Sequence, residues 1–270
     1  MAALHTVANG GSTRQGTSSG VQATLAVLDL LAASAPLGLT DIGRELGIAK
    51  STLHRILAVL VDRGWAVRDS EGCYDLGIRA LRLGSRGSDL PIVTAFRTIA
   101  AEFLTRHDET IALAVLDGRE SLFVALEETS QPVRLMTHVG SKTPAYASAS
   151  GRVVLASLPP ATVAAMFGGQ LLVTPTGRRL NGVAELLSIL EEVRQRGFAE
   201  NSGETADGLY AASVPVVNEQ GVTLAALTTC VPASRMTPAR RTALLNDLQP
   251  LGRELSELVA WLPSFSSRRP

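Results

Sequence analysis

The sequence lacks the features of secreted and membrane-spanning proteins. Only two cysteines, Cys73 and Cys230, occur among 270 residues, too few for a disulfide framework. No run of about 18 apolar residues is present that could cross a membrane. The N-terminus also lacks a charged start followed by an apolar core. We therefore expect a reduced, cytoplasmic protein with no membrane partner.

An excess of charge of one sign is also absent. Lys plus Arg and Asp plus Glu number 25 each, and residues 21–86 are close to neutral as well. A broadly basic surface, which would attract nucleic acid without regard to sequence, is therefore excluded. Any contact with DNA must be local.

Residue patterns for metal binding and covalent catalysis are missing too. The histidines, which are His5, His54, His107 and His138, show no metal-ligand spacing. The chain has no Gly-x-Ser-x-Gly elbow and no Walker loop. Ser148 and Ser150 lie close to Gly151, but the sequence places no histidine or acid to activate them. We predict no metal, cofactor or catalytic residue, and an enzyme that converts a small molecule and carries an accessory helical domain is the alternative.

Residues 39–58, LTDIGRELGIAKSTLHRILA, predict two short helices joined by a tight turn. Thr40 is the predicted N-cap of the first helix, Ile42 and Leu46 form its inward face, and Gly47 ends it. The second helix begins at Lys50 or Ser51, and its apolar stripe consists of Leu53, Ile56, Leu57 and Leu60.

This stripe leaves a polar cluster at the exposed N-terminal end of the second helix, formed by Lys50, Ser51, Thr52, His54 and Arg55. Such side chains donate hydrogen bonds to phosphates and base edges. In a helix-turn-helix, this end of the second helix enters the major groove. A helical hairpin with an ordinary solvated face is the alternative.

A third helix and a hairpin complete the predicted N-terminal domain. Residues 21–33 form an amphipathic helix with Leu25, Leu28 and Leu31 or Ala32 inward. Two short strands, 65–67 and 73–76, flank a turn at 68–72. Together they predict a winged helix-turn-helix with Arg68 in its wing. The candidate DNA contacts are Thr40, Lys50, Ser51, Thr52, His54, Arg55 and Arg68.

The rest of the chain predicts an α+β domain. Residues 1–20 form a disordered tail, 21–76 the DNA-binding domain, 77–90 a linker helix, 91–262 the second domain and 263–270 a C-terminal tail. In the linker helix, Ile78 and Leu81 are expected to face inward. Predicted strands are 110–116, 121–126, 133–139, 209–217 and 222–231, and predicted helices are 91–106, 150–158, 161–167, 183–196 and 238–261. Hairpin turns between strands indicate an antiparallel sheet flanked by helices.

From about residue 21 to 258 the chain resembles the IclR family of bacterial transcriptional regulators. The resemblance rests on the order of short motifs: KST at 50–52, RIL at 55–57, YDLG at 74–77, GSKTP at 140–144, ASGR at 149–152, RGF at 196–198, Glu204 with Gly208, and SVPV at 213–216. It implies an N-terminal winged helix-turn-helix and a C-terminal GAF-like effector domain. It also implies a homodimer or homotetramer on a double-stranded DNA operator, more often as a repressor than as an activator.

The resemblance places a small-molecule effector against the sheet of the second domain. The implied effector-binding residues are Gly140, Ala149, Ser150, Asn201, Leu209, Ala211, Thr228 and Cys230. Ala149 and Ser150 match a helix start that offers backbone amides to a carboxylate. Ala211 replaces a cysteine and Asn201 an acid found in other members, which favours an aromatic or other carboxylate-like catabolite. The alternative is that Leu209, Ala211 and Cys230 are simply core residues.

Overall fold

The computed structural model of the protein describes residues 16–87 and 89–263, which divide into two compact units at this gap. Each unit has its own hydrophobic core. In the part of the chain that is described, no helix is long and apolar enough to cross a membrane.

Three helices form the body of the first unit: α1 (Gly16–Ser34), α2 (Leu39–Leu46) and α3 (Lys50–Asp62). Helix α2 ends at Gly47, whose φ of 63° is left-handed and whose amide donates to the Gly43 carbonyl. The chain turns there directly into α3. The shared core contains Val27, Leu31, Ile42, Leu53, Leu57, Leu60, Ala66 and Tyr74. The predicted helix-turn-helix is therefore confirmed.

A small antiparallel sheet packs against these helices. Its strands are β1 (Leu37–Gly38), β2 (Ala66–Arg68) and β3 (Cys73–Leu76), in the order β1-β3-β2. The β2–β3 hairpin is the predicted wing. Helix α4 (Ile78–Gly87) follows the hairpin.

The second unit contains a six-stranded antiparallel sheet in the order β6-β5-β4-β9-β8-β7. Its strands are β4 (Thr110–Asp117), β5 (Glu120–Glu127), β6 (Lys142–Pro144), β7 (Ala199–Ser202), β8 (Leu209–Val217) and β9 (Thr223–Pro232). Its helices are α5 (Pro91–His107), α6 (Ala149–Ala156), α7 (Pro160–Phe167), α8 (Val183–Arg196) and α9 (Pro238–Leu258), with a 3-10 turn at Ala233–Arg235.

The two faces of this sheet carry different side chains because neighbouring residues of a strand point to opposite sides. Ile111 and Leu113 belong to the core formed with α5 and α9. Ala112 and Ala114 of the same strand belong to the core on the side of α6, α7 and α8. These small residues let α6 lie close to the sheet, and all eight of its residues are buried.

Three predictions for the first unit are wrong. Gly38 belongs to β1, where it pairs with Cys73 of β3, and it is also the N-cap of α2. Helix α2 therefore begins at Leu39, and Thr40 is not its cap. Leu25 is 55% exposed, since α1 is apolar on more than one side and turns Val27 and Leu31 inward. Ile78 and Leu81 are 65% and 69% exposed, and no residue of α4 is buried among the described residues.

Other predicted boundaries also need correction. Helix α1 starts at Gly16, within the predicted tail, whereas residues 1–15 and 264–270 lie outside the described residues. Residues 133–139 form no strand. The sheet instead contains the short strand β6 beside β5, where Lys142 of β6 pairs with Leu122 of β5. Strand β7 was not predicted, because its sequence AENS is polar and short.

Candidate functional site

The first candidate surface is the N-terminal end of α3. Leu53, Leu57 and Leu60 are buried on one side of the helix. The opposite side exposes Lys50, Ser51, His54 and Arg55, while Thr52 is half-buried. Thr40 is exposed in the first turn of α2. The buried leucines thus hold a row of hydrogen-bond donors outward at the end of the helix that enters the major groove in this motif.

The wing forms a short, ordered hairpin. One carboxylate oxygen of Asp69 accepts hydrogen bonds from the amides of Glu71 (3.0 Å) and Cys73 (2.8 Å), which closes the turn. The guanidinium of Arg68 lies 5.6 Å from the centre of the Tyr74 ring, a cation–π distance. Arg68 is exposed as well, so it stays a candidate contact to a phosphate.

The second candidate site is a cavity of about 230 Å³ between the start of α6 and the sheet. Strands β5, β6, β8 and β9, the segment before β6 and the segment between β7 and β8 complete its wall. The lining residues are Phe123, Leu135, Met136, Thr137, Ser141, Lys142, Thr143, Ser148, Ala149, Ser150, Thr205, Ala206, Leu209, Ala211, Thr228 and Cys230.

The start of α6 supplies backbone donors to this cavity. The Ser148 hydroxyl is the N-cap and accepts from the Gly151 amide at 3.1 Å. The amides of Ala149 and Ser150 have no acceptor among the described residues. Unpaired amides and the positive end of the helix dipole together favour an anion at this position.

Gly151 lets the start of α6 approach the preceding chain. A Cβ at this position would lie 2.3 Å from Ala145 Cα and 2.4 Å from the Ala145 carbonyl oxygen. No side chain larger than hydrogen fits there unless the backbone moves. Gly151 therefore sets how far the amides of Ala149 and Ser150 stand from the sheet.

Two hydroxyl groups of the cavity wall are held by buried hydroxyl groups behind them. Ser150 Oγ lies 2.7 Å from Ser121 Oγ, and Thr228 Oγ1 lies 2.8 Å from Ser213 Oγ. Ser121 and Ser213 are both buried. Each pair fixes the position of one polar group without placing a charge in the cavity.

No acidic side chain is among the lining residues named above, so none of them offers a carboxylate to a cation. Lys142 is the one charged residue among them, and its ammonium is already paired with Asp117 at 2.7 Å and Glu120 at 3.8 Å. Burial raises the pKa of the Cys230 thiol to about 12, so this group is a neutral thiol at physiological pH. No group of three potential metal ligands occurs within residues 16–87 and 89–263.

Six of the eight predicted effector contacts line this cavity: Ala149, Ser150, Leu209, Ala211, Thr228 and Cys230. Gly140 and Asn201 do not. The Gly140 amide donates to the Phe123 carbonyl at 2.8 Å and holds the turn before β6. Asn201 Nδ2 donates to the Ala147 carbonyl, and its Oδ1 accepts from the Glu204 amide at 3.0 Å.

Apart from Ser148, for which the sequence indicates a capping role or a ligand contact, nine lining residues were not predicted. Ser141, Lys142 and Thr143 belong to a recognised motif, so the motif itself was a signal. Phe123 lies in a predicted strand, but the alternation of side chains along a strand does not tell which face of the sheet lines a cavity. Residues 135–137 were assigned to a strand, and 205–206 lie in a loop with no periodic pattern. These last two segments carry no local signal for the site.

Comparison with known families identifies both units. The profile for the IclR helix-turn-helix domain matches residues 20–70, and that for the bacterial transcriptional regulator IclR C-terminal domain matches residues 86–257. The chain belongs to the IclR family. Its six-stranded sheet is therefore the sheet of an IclR effector domain, and α2 and α3 are the helix-turn-helix of an IclR regulator.

Relatives of the same family match along most of their length. The chain is 32% identical to the HTH-type transcriptional regulator BhcR of Paracoccus denitrificans, with 88% of each chain covered. It is also 32% identical to the regulator XynR of Escherichia coli, covering 89% of this chain and 97% of XynR. Among solved structures, an IclR transcriptional regulator from Alicyclobacillus acidocaldarius shares 25% identity with a TM-score of 0.78, over 89% of this chain and 98% of that one.

This membership gives the class of function. The protein is an IclR-type DNA-binding transcriptional regulator, as the motifs predicted. Its homologues and matching families are regulators and not enzymes, so the enzyme alternative is not supported.

Proposed function

We propose that this IclR regulator is a repressor whose affinity for its operator is controlled by a small monocarboxylate bound in the cavity at the start of α6. The observation that carries this proposal is the pair of unpaired amides of Ala149 and Ser150 on the cavity wall. A carboxylate placed there accepts both hydrogen bonds and meets the positive end of the helix dipole.

The rest of the wall supports a ligand with an apolar body. Phe123, Leu135, Leu209 and Ala211 provide apolar surface, and the hydroxyl groups of Ser150 and Thr228 provide two fixed polar contacts. A volume of about 230 Å³ lies below the roughly 300 to 1,000 Å³ of sites for drug-sized ligands. An aromatic acid of one ring or an aliphatic acid of similar size is the proposed class. An IclR homologue from Microbacterium hydrocarbonoxydans, of similar fold (TM-score 0.74, 23% identity), has been solved in complex with 4-hydroxybenzoate.

We propose that residues 21–76 bind DNA through Lys50, Ser51, Thr52, His54, Arg55 and Arg68, that 77–90 link the domains, and that 91–262 bind the effector and oligomerise. Thr40 has no capping role and stays a candidate phosphate contact. The proposed location is the cytoplasm, where a bacterial regulator reaches its operator. Gly140 and Asn201 are proposed to shape the cavity indirectly, because their hydrogen bonds hold segments next to its wall.

The proposed assembly is a homodimer or homotetramer. Ile78 and Leu81 lie one turn apart on α4 and are both exposed, so they present one apolar strip. A second copy that covers the strip would pair two recognition helices on successive half-sites of an operator. The near-neutral charge of the first unit supports this pairing, since a single copy has few phosphate contacts to offer.

The proposed mechanism is linkage between the two sites. An effector that binds one conformation of the assembly more tightly shifts the population toward that conformation. If the recognition helices are spaced differently in that conformation, operator affinity changes by the same coupling free energy.

The test is a footprint of the protein on its own promoter region, followed by gel shifts with a panel of organic acids that includes benzoate and 4-hydroxybenzoate. We expect one class of acid to release the operator. Ala149→Pro should keep operator binding but lose this release, because proline removes the Ala149 amide at a helix position where proline is tolerated. Release of the variant at the same acid concentration as the native protein would refute the site. A failure of every acid to change binding or the melting temperature would refute the ligand class.

A further inference from the structure

One segment of the cavity wall is attached to the protein by charges that lie outside the cavity. This roof segment, residues 203–208, connects β7 with β8 and contributes Thr205 and Ala206 to the wall. Gly203 and Gly208 bracket it with φ values of 73° and 70°, conformations that glycine adopts at little cost. The roof segment therefore begins and ends at residues that permit a change of direction.

Glu204 is not among the residues that line the cavity, and its carboxylate lies in a cluster of charged side chains. The residue is only 7% exposed. One carboxylate oxygen lies 2.5 Å from Nη2 of Arg152, an ionic contact without the geometry of a hydrogen bond. The other oxygen accepts a hydrogen bond from Nη1 of Arg178. We call Arg152, Glu204 and Arg178 the Glu204 cluster.

The Glu204 cluster joins the roof to α6, whose start forms the anion site, and to the loop before α8. Arg152 follows Gly151 in α6, is buried, and donates from Nε to the Tyr146 carbonyl at 2.9 Å. Arg178 lies in the loop before α8 and also contacts Glu185 at 3.3 Å. In the same loop, the Thr176 hydroxyl donates to the Gly203 carbonyl at 2.7 Å. The roof is thus attached on one side to α6 and on the other to the loop before α8.

Ionic attachment has a physical consequence that apolar packing lacks. Burying charges costs solvation free energy, so a buried ion pair stabilises a protein less than its Coulomb attraction suggests. If one partner is removed, however, the remaining buried charge lacks compensation and its surroundings must rearrange. The pKa of Arg152 is lowered by its burial to about 10, so the guanidinium is still charged at physiological pH. The cluster consequently holds the roof in one geometry. Loss of either arginine side chain is expected to disturb that geometry.

We infer that Arg152 and Arg178 are positioning residues of the effector site, which act through Glu204 to hold the roof segment against the cavity. This inference rests on the proposed function only in taking the ligand of the cavity to be an effector. The attachment of the roof is a property of the free protein, and it can be measured without a ligand.

The experiment is hydrogen exchange measured by mass spectrometry on the full-length protein. Arg178→Met is the variant of choice because the Arg178 side chain is 50% exposed, and its loss leaves the Arg152–Glu204 pair in place. We expect exchange in peptides covering residues 203–209 to become about tenfold faster, the effect of losing one hydrogen bond to a charged group. Arg178→Lys should restore most of the protection by returning the positive charge.

Arg194→Met is the matched control. Arg194 pairs with Glu191 and with the Ala156 carbonyl, neither of which belongs to the roof segment, and is 39% exposed. This control should leave exchange at 203–209 unchanged. Glu204→Gln, which removes the charge shared by both arginines, should accelerate exchange more than Arg178→Met.

Binding of benzoate and 4-hydroxybenzoate is measured on the same samples. Faster exchange in Arg178→Met, together with weaker binding of whichever acid the native protein takes, supports the inference. Faster exchange with no acid bound by any variant supports the attachment of the roof and counts against the proposed function instead. Unchanged exchange in both Arg178→Met and Glu204→Gln overturns the inference, whatever the acids do.

Discussion

Replacing Gly151 with alanine tests how α6 is seated on the sheet. The added Cβ would lie 2.3 Å from Ala145 Cα and 2.4 Å from the Ala145 carbonyl oxygen. Both are backbone atoms, so no change of rotamer relieves the contact. Overpacking in a close-packed interior costs about 1 to 3 kcal/mol, and we expect the upper part of this range. Alanine also gains up to about 1 kcal/mol from its helix propensity, so the net loss is about 2 kcal/mol.

For a unit of this size, 1 kcal/mol corresponds to about 2 to 4 °C in melting temperature. The expected decrease is therefore about 4 to 8 °C for the transition of the second unit, measured by calorimetry at fixed protein concentration. Gly84→Ala is the control, since Gly84 is helical, exposed and has no atom within 4 Å of the added Cβ. Because Gly84 belongs to the first unit, this variant should leave the transition of the second unit unchanged. A Gly151→Ala protein that melts at or above the native temperature would show that this contact does not set the position of α6.

Two further predictions concern DNA binding and acid stability. Arg55→Ala should weaken operator binding by about 1 to 3 kcal/mol if Arg55 contacts a base, and native affinity in a gel-shift titration would exclude that role. Partial burial opposes ionisation of Glu200, but hydrogen bonds from Arg241, Tyr210 and Arg196 outweigh it and lower the pKa of Glu200 to about 2. Because this pKa is lower in the folded protein, the stabilisation is present above the ordinary value of 4.5 and is lost as the pH falls toward 2. The difference in melting temperature between the native protein and Glu200→Gln should therefore shrink across that range, and a constant difference would argue against it.

The parts of the site that were predicted correctly depend on neighbours in the sequence. The leucine spacing of α3 determines which side of the helix is buried, so the exposure of Lys50 and Arg55 follows from it. The short turn between strands predicted the wing in the same way. The resemblance to the IclR family then placed Ala149 and Ser150 at a helix start, and both residues lie on the cavity wall.

The parts that were missed depend on contacts between distant residues. Glu204 and Arg152 are far apart in the sequence and meet only because α6 packs on the face of the sheet against its edge strand β7, which Glu204 follows. Asn201 was predicted as an effector contact, whereas in the fold both ends of its amide group are taken by Ala147 and Glu204. No periodic pattern records such a pairing.

The sequence by itself determined the order of the helices and of the longer strands, the winged helix-turn-helix and the family, because each of these rests on local spacing or on a series of motifs along the chain. The short strands β1, β6 and β7 were not predicted. Only the tertiary structure decided which residues enclose the cavity, how close α6 approaches Ala145, and what holds the roof. These features arise when β5, β6, β8 and β9 are brought beside α6, so a residue's role there is set by its neighbours in space.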